Sequence, residues 1–221
     1  MSMTQLLLCG PQSCLPSEQS ALRQLLLRRT SLCTALSSGA RALPSLLRLL
    51  AAFDASLHRV SASSVDFLLQ WIEHGTLSLP VDTLPNVVAL PFAVLLQVAL
   101  FLQHLDKDDA LEDYSQTIQS LQQYGVQGFC TGFLTASAIG FSENEEQLAE
   151  YTVTSLRLAV CIGAYIDQNA LYAEPANSAC TLSVRWREGE FSRSQVEGLL
   201  ASYPHVRVST SSFSAALLTA V

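Results

Sequence analysis

The chain has 221 residues, of which 49% are hydrophobic and only 14% charged, with a formal net charge of −7. That composition builds one large domain or two small ones around a substantial core and excludes a disordered chain. The acidic balance disfavours nucleic acid and anionic membranes as partners held by general electrostatics.

In chain order, Thr4 to Cys9 is a short apolar run closed by Gly10-Pro11, which predicts a buried strand and a turn. From Ser17 leucines recur at helical spacing, first Leu22, Leu25 and Leu26, then Leu46, Leu47 and Leu50. Pro44 is expected to separate two helices there. Ser63 to His74 is a further amphipathic helix ended by Gly75. A Pro-punctuated segment, Leu79-Pro80 to Leu84-Pro85, leads into Val87–Leu102. That run is interrupted by Pro91 and Gln97 and falls short of a bilayer span, so it is expected to be a buried helix.

Asp106 to Asp113 is an acidic surface stretch before a helix ending near Tyr124. Val126 to Phe129 suits a strand, and Phe133 to Ile139 restarts helical character. Ser142 with Glu145 reads as a capping box opening a long helix through Leu148, Tyr151, Leu158 and Ile162 to about Asn169. Near Glu174-Pro175-Ala176-Asn177 the pattern changes. Cys180 to Trp186 alternates like a strand. Ser192 and Gln195 form a second capping box, with Phe191 and Val196 as its hydrophobic staple, for a helix to Tyr203-Pro204. Val206 to Ser209 is a second strand, so the tail reads β-α-β, with Phe213 to Val221 folding back as a helix. The domain expectation is a core over residues 1–175 and a small subdomain over 176–221.

Charge is unevenly placed: residues 1–60 hold six arginines (23, 28, 29, 41, 48 and 59) against Glu18 and Asp54. Either these are solvated surfaces or they form a face for an acidic partner. The six cysteines (9, 14, 33, 130, 161 and 180) form no C-x-x-C pair and no Cys/His cluster at zinc spacing. No metal site is expected, and thiols in apolar runs such as Leu6-Leu7-Leu8-Cys9 suit a reducing, cytosolic compartment. The N-terminal MSMTQLLLCGPQ lacks the basic flank and apolar length of a signal peptide.

The stretch YGVQGFCTG, residues 124–132, concentrates the chemistry. Cys130 sits between Gly128 and Gly132, with strand character before it and helix character after. Two readings fit. One is a structural cysteine near a tight turn. The other is a nucleophile elbow, in which a strained turn lifts the thiol clear and the N–H of Thr131 faces a developing oxyanion at a helix N-terminus. A second oxyanion donor must come from another loop. Gly10-Pro11-Gln12, after the first strand, is either that loop or a surface turn.

These segments together resemble the starter-unit:acyl-carrier-protein transacylase domain of fungal non-reducing polyketide synthases. Leu8-Cys9-Gly10-Pro11-Gln12 is similar to the family's F-G-D-Q turn. Val94-Leu95-Leu96-Gln97-Val98 falls in its apolar helix ahead of the nucleophile. Gly128 to Ala136 is similar to its G-x-C-T-G-x-L-x-A signature, and Arg157 to Gly163 to its R-x-A-x-x-x-G segment. Leu182 to Ser209 resembles the opening of its small subdomain.

The resemblance implies an acyltransferase-like α/β fold: a helix-rich, α/β-hydrolase-like large subdomain with a partial ferredoxin-like small one. It implies Cys130 as nucleophile, and Gln12 and Thr131 as oxyanion donors. The substrate would be acyl-CoA or a phosphopantetheine-linked acyl thioester with no bound cofactor, and the partner an acyl carrier protein or polyketide synthase. A catalytically degenerate, carrier-binding relative is the alternative. Arg157 occupies a place comparable to the carboxylate-binding arginine of malonyl-selective acyltransferases, or is a helix residue in an ion pair.

Two departures stand out. Pro11 replaces the family's acidic turn residue. The family's catalytic histidine lies beyond the small subdomain, inside which this chain is expected to end. None of His58, His74, His104 and His205 matches its motif, and each is expected on a helix surface or in a loop. A thiol without a neighbouring base is mostly protonated at neutral pH.

Overall fold

The computed structural model describes residues 7–10, 16–60, 62–75, 84–107, 117–119, 121, 123, 125–172, 181–185, 195, 198, 206–211 and 215–220. The chain divides into two compact units, residues 1–168 and 169–221. The boundary read from the sequence, 175/176, lies outside the described residues.

The first unit is mainly helical. A short strand β1 (Leu7–Cys9) is followed by α1 (Pro16–Arg28), α2 (Thr30–Phe53), α3 (Asp66–His74) and α4 (Asn86–Lys107). Then come β2 (Val126–Gly128), α5 (Gly132–Phe141) and α6 (Glu145–Tyr172). Residues 117–119, 121 and 123 are helical. β1 and β2 pair in parallel, with Leu7 opposite Val126 and Cys9 opposite Gly128.

The first two helices break at Arg29, which is extended (φ −97°, ψ 109°), and not at Pro44, which lies inside α2. An interior proline costs about 3 kcal/mol. Against it stands the uninterrupted buried stripe Leu32, Leu36, Leu43 and Leu47. Each buried leucine stabilises by about 1.5–3 kcal/mol, so the stripe outweighs the proline.

α4 is longer than the apolar run suggested. By length and composition Asn86–Asp106 could cross a membrane, but 67% of its apolar window is buried inside the fold. Val88, Val94, Leu95, Val98, Ala99 and Leu102 are all fully enclosed. A helix apolar all round is the centre of a core. Phe92 on α4 meets Trp71 of α3 edge-on, ring centroids 5.0 Å apart.

The N-terminus of α4 is capped from a distant helix. The Asp167 carboxylate accepts hydrogen bonds from Asn86 N, Asn86 Nδ2 and Val87 N, each at 2.8 Å. It satisfies two orphan amides and sets a negative charge against the helix dipole. Close to this cap Gly163 of α6 touches the Asn86–Val87 backbone, leaving no room for a methyl group.

α6 begins later than the expected capping box. Ser142 Oγ donates instead to Ile139 O and closes α5. The N-cap is Asn144, whose Oδ1 accepts from Gln147 N, while Gln147 Oε1 accepts from Glu143 N. A box-like pair of bonds is present, with its N-cap two residues downstream, while the buried Ser142 hydroxyl is committed to Ile139 O.

Three of the six arginines in the first sixty residues bind other elements of the unit. Arg23 donates to the carbonyls of Trp71 (2.7 Å), Ile72 and Glu73 and so caps the C-terminus of α3. Arg29 pairs with Asp106 and Glu145, and Arg41 with Glu73. Arg28 and Arg48 are exposed.

The second unit contains β3 (Thr181–Arg185), β4 (Val206–Ser211) and β5 (Ala215–Ala220) in an antiparallel sheet of order β3-β5-β4. The tail expected to be a helix is therefore the central strand. A short apolar run cannot be told from a helix by periodicity, and in the middle of a sheet both of its edges are paired. Gln195 and Gly198 are helical, while the second capping box at Ser192 lies outside the described residues.

Replacing Asp167 with alanine removes three hydrogen bonds from the start of the central helix. Urea unfolding of Asp167→Ala is expected to show a loss of about 2 kcal/mol, with Asp167→Asn losing less.

Candidate active site

β1 and β2 run parallel, so Gly10 and the turn at Cys130 follow them at the same end of the sheet. Phe129 N donates to Cys9 O at 2.8 Å, extending the ladder one residue past β2. The chain then reverses at Cys130, which has φ +57° and is the one non-glycine residue with positive φ among those described. α5 starts two residues later. The left-handed conformation costs an L-residue about 1–2 kcal/mol and persists only where surroundings enforce it.

The two flanking glycines enforce it. A Cβ on Gly128 would collide with the Phe133 backbone and sit 2.5 Å from Gly132 C. A Cβ on Gly132 would lie 2.7 Å from Gly10 N and closer still to the Cys9 carbonyl. The first turn of α5 thus rests directly on the end of β1. Gly132 N donates to Phe129 O, Phe133 N to Cys130 O and Leu134 N to Thr131 O. The amide of Thr131 takes part in none of these bonds. Cys130 itself is exposed, and no disulfide engages it.

Gln97 of α4 reaches the same place. It is 4% exposed, and its Nε2 donates to Gly10 O at 2.7 Å. Its Oε1 is buried without a hydrogen-bond partner among the described residues. In the sequence Gln97 appeared as an interruption of an apolar run and within a segment of the family resemblance, with no role assigned to it. A lone carboxamide in a helix buried all round is the signal that could have singled it out.

Along β2 and α5 lies a cavity of about 570 Å³, lined by residues 125–128 and by Phe133, Ala136, Ser137, Gly140 and Phe141. Phe129 and Phe133, on either side of Cys130, are exposed at 50% and 64%.

The remaining predicted residues are placed as follows. Gln12 lies outside the described residues, although Gly10, two positions earlier, is fixed as above. Arg157 is exposed on α6 and lines a groove of about 710 Å³ between α2 and α6 with Thr30, Thr34, Ser38, Glu150 and Thr154. Cys130 is not among that groove's lining residues. His58, His74 and His104 are exposed, with His74 Nε2 4.0 Å from Glu73 Oε2, and His205 lies outside the described residues. No group of three or more potential metal ligands occurs among the described residues. Burial raises the Cys9 thiol to about 11 and moves Cys161 in the same direction.

A strand, a left-handed cysteine and a helix N-terminus, with glycines where backbones touch, have the shape of the nucleophile elbow found in acyl-transferring enzymes. The family model described as starter unit:ACP transacylase in aflatoxin biosynthesis matches residues 19–220. The chain belongs to this starter-unit transacylase family. It is 32% identical over 206 residues to a non-reducing polyketide synthase of Penicillium shearii, covering 92% of this chain and 9% of that one. It is 34% identical over 204 residues to the 5-methylorsellinic acid synthase of Aspergillus terreus, covering 90% and 8%. A non-reducing polyketide synthase of Emericella nidulans is 33% identical over 211 residues, covering 92% and 8%. The chain thus spans under a tenth of the length of these curated relatives.

Gly132→Ala is expected to lose about 1–3 kcal/mol because no flexible side chain can yield to the new methyl. Thermal unfolding checks this, and Gly198→Ala, where a Cβ meets nothing within 4 Å, is the control. The Cys9 thiol gives a pH signature. Unfolded, it loses its proton from about pH 9, but folded it holds it to about 11. Its contribution to stability is complete below pH 9 and is lost as pH rises towards 11. Cys9→Ala should flatten that part of the stability profile, measured by urea unfolding between pH 8 and 11.

Proposed function

We propose that this chain is a starter-unit acyltransferase of fungal polyketide biosynthesis. It takes an acyl group from acyl-CoA or an acyl carrier protein onto Cys130 and passes it to the phosphopantetheine thiol of an acyl carrier protein. The observation that carries this reading is the exposed thiol at φ +57° between β2 and α5. In the first half-reaction the Cys130 sulfur bonds to the acyl carbonyl, the carbonyl–sulfur bond to CoA breaks, and the cysteine's proton ends on the released CoA thiol. The second half-reaction runs the same exchange onto the carrier. Bonds broken and formed are alike, so the protein's task is to stabilise the tetrahedral oxyanion.

The Thr131 amide, unused by the turn and at the start of α5, suits that task. Gln12 N–H would be the second donor, as the resemblance implies. The matching fold reading is an acyltransferase-like α/β-hydrolase core over 1–175 with a partial ferredoxin-like subdomain over 176–221. The parallel β1–β2 pair leading into the elbow and the separate antiparallel sheet support it. Arg157 faces a groove that excludes Cys130, so no contact with the acyl group is assigned to it.

A second reading, a carrier-binding module without transfer, is favoured by the positions of the histidines. Those described sit on exposed surfaces and none lines the cavity along β2 and α5. The two readings separate in one experiment. The protein is incubated with saturated acyl-CoA donors from acetyl to octanoyl and followed by intact mass. Transfer requires a single acyl adduct that is absent in Cys130→Ala and discharged by a phosphopantetheinylated carrier protein. No adduct with any donor, together with carrier binding that survives Cys130→Ala, would leave the binding module standing alone.

A further inference from the structure

We propose that the outer edge of β2 and the adjoining face of α5 join two copies of this chain in a two-fold symmetric dimer. In a parallel ladder the N–H and C=O of every second residue face the same neighbouring strand. Leu7 N donates to Gly125 O and Phe129 N to Cys9 O, so Gly125, Gln127 and Phe129 turn their groups towards β1. The N–H and C=O of Val126 and Gly128 turn the other way. They meet no partner among the described residues, where the sheet consists of β1 and β2. The cavity of about 570 Å³ lies along this strand, with β2 and α5 as its walls. Such an edge is a template for a further strand, and a bare parallel pair is a marginal structure.

What fits the edge is its own copy. Antiparallel strands bond through residues directly opposite each other, in pairs separated by one unbonded position. Rotating β2 about an axis through Gln127 sets Val126 opposite Gly128 of the second copy, and Gly128 opposite its Val126. Each pair then exchanges both hydrogen bonds, and every outward group of the edge is satisfied. The same axis suits α5, which runs back along β2. Gly128 lies against the Phe133 backbone, and a Cβ on Gly140 would sit 3.7 Å from Val126 Cβ. The level of Gln127 on the strand is therefore that of Ser137 on the helix. Rotation there sets Phe133 of each copy opposite Phe141 of the other. These rings are 64% and 74% exposed in the single chain. Between them Ser137 and Gly140 are small enough for helix axes 8–10 Å apart. The spacing agrees. α5 rests on both strands, through Gly132 against Cys9 and Phe133 against Gly128, so the two helices come two strand spacings apart, about 10 Å.

Two centres obtained from different observations thus coincide, one from the direction of backbone groups and one from helix–strand contacts. That coincidence selects a second copy as the occupant. An unrelated extended segment would satisfy the strand edge but brings no second helix to meet Phe133 and Phe141. The contact is isologous, so it closes at two copies and leaves no open edge on β2. A standard interface takes roughly 800 Å² from each partner, and each phenylalanine supplies at most about 150–250 Å² of it. A reversible dimer of micromolar strength is expected. Its sheet has the order β1-β2-β2-β1, and the two Cys130 turns leave it at opposite ends. The proposal is therefore independent of the chemistry assigned to that thiol.

Sedimentation of the full chain between about 1 and 100 µM tests this and should show a monomer–dimer equilibrium. Gln127 is exposed and stands on the axis. Gln127→Lys sets two ammonium groups face to face, and the dissociation constant should rise about tenfold or more. If Gln127→Lys does not fold, Phe141→Ser at the exposed end of α5 gives the same readout. Gln127→Cys, in a Cys130→Ser background, should form a covalent dimer under mild oxidation. Unbonded antiparallel pairs stand about 4.5 Å apart at Cα, within disulfide reach. Gln123→Cys in the same background, exposed but off the axis, should cross-link far more slowly. Three results overturn the proposal: a monomer throughout the range, a dimer indifferent to these substitutions, or cross-linking no faster through Gln127→Cys than through Gln123→Cys.

Discussion

The architecture around Cys130 depends on three stretches of backbone lying closer together than any side chain permits. The end of β1, the turn at residues 129–131 and the first turn of α5 meet where Gly132 rests on the Cys9 carbonyl and Gly128 on Phe133. The Phe129–Cys9 hydrogen bond locks the first two together. With both neighbours immovable, the chain has only a left-handed route from strand to helix, and Cys130 takes it at an energetic cost of about 1–2 kcal/mol. The sulfur on this turn is exposed.

That contact is held from behind by α4. The helix begins at a cap supplied by Asp167 and passes through the centre of the unit. Midway along it, Gln97 grips Gly10. One rigid, buried rod therefore connects the far end of α6 to the exit of β1. The arginines do related work at the periphery. Arg23 closes α3, and Arg29 ties the α1–α2 junction to the end of α4 and the start of α6. Three of the six arginines that the sequence offers either as a solvated surface or as a face for an acidic partner, Arg23, Arg29 and Arg41, hold helices to one another, while Arg28 and Arg48 stay exposed.

The elbow was legible because it is written in local chemistry: two glycines in fixed register with a cysteine, a short apolar run before them and a helical one after. The end of α3 at Gly75, where φ is +64°, was legible for the same reason. What escaped was decided by tertiary burial. Pro44 is a strong local stop signal that lost to a leucine stripe on the same helix. Ser142 is a good N-cap residue that burial committed to the carbonyl of Ile139, leaving Asn144 to cap α6. The tail at Ala215–Ala220 carries no periodicity to separate helix from strand, and its role as a central strand depends on partners at 181–185 and 206–211. Gln97 was visible as an interruption and as part of a family segment but without a role, since its hydrogen-bond partner lies 87 residues away at Gly10.

These differences sort the site into two layers. The presentation of the thiol is a backbone property, set by glycines and by hydrogen bonds between main-chain groups, and it tolerates wide change in the surrounding side chains. That is consistent with a chain recognisable as a family member while about two-thirds of its aligned residues differ from those of its relatives. The exposed aromatic groups nearby are a side-chain property: Phe129 and Phe133 flank the turn in sequence, and Phe133 and Phe141 line the cavity along α5. On the proposed function, the first layer answers how an acyl group is bonded and released, and the second which acyl group is accepted. Thioester exchange is close to isoenergetic, so the second layer is free to vary without any thermodynamic demand from the first. Specificity for a starter unit should therefore be sought in the side chains flanking the turn, and reactivity in the contact between Gly132 and Cys9.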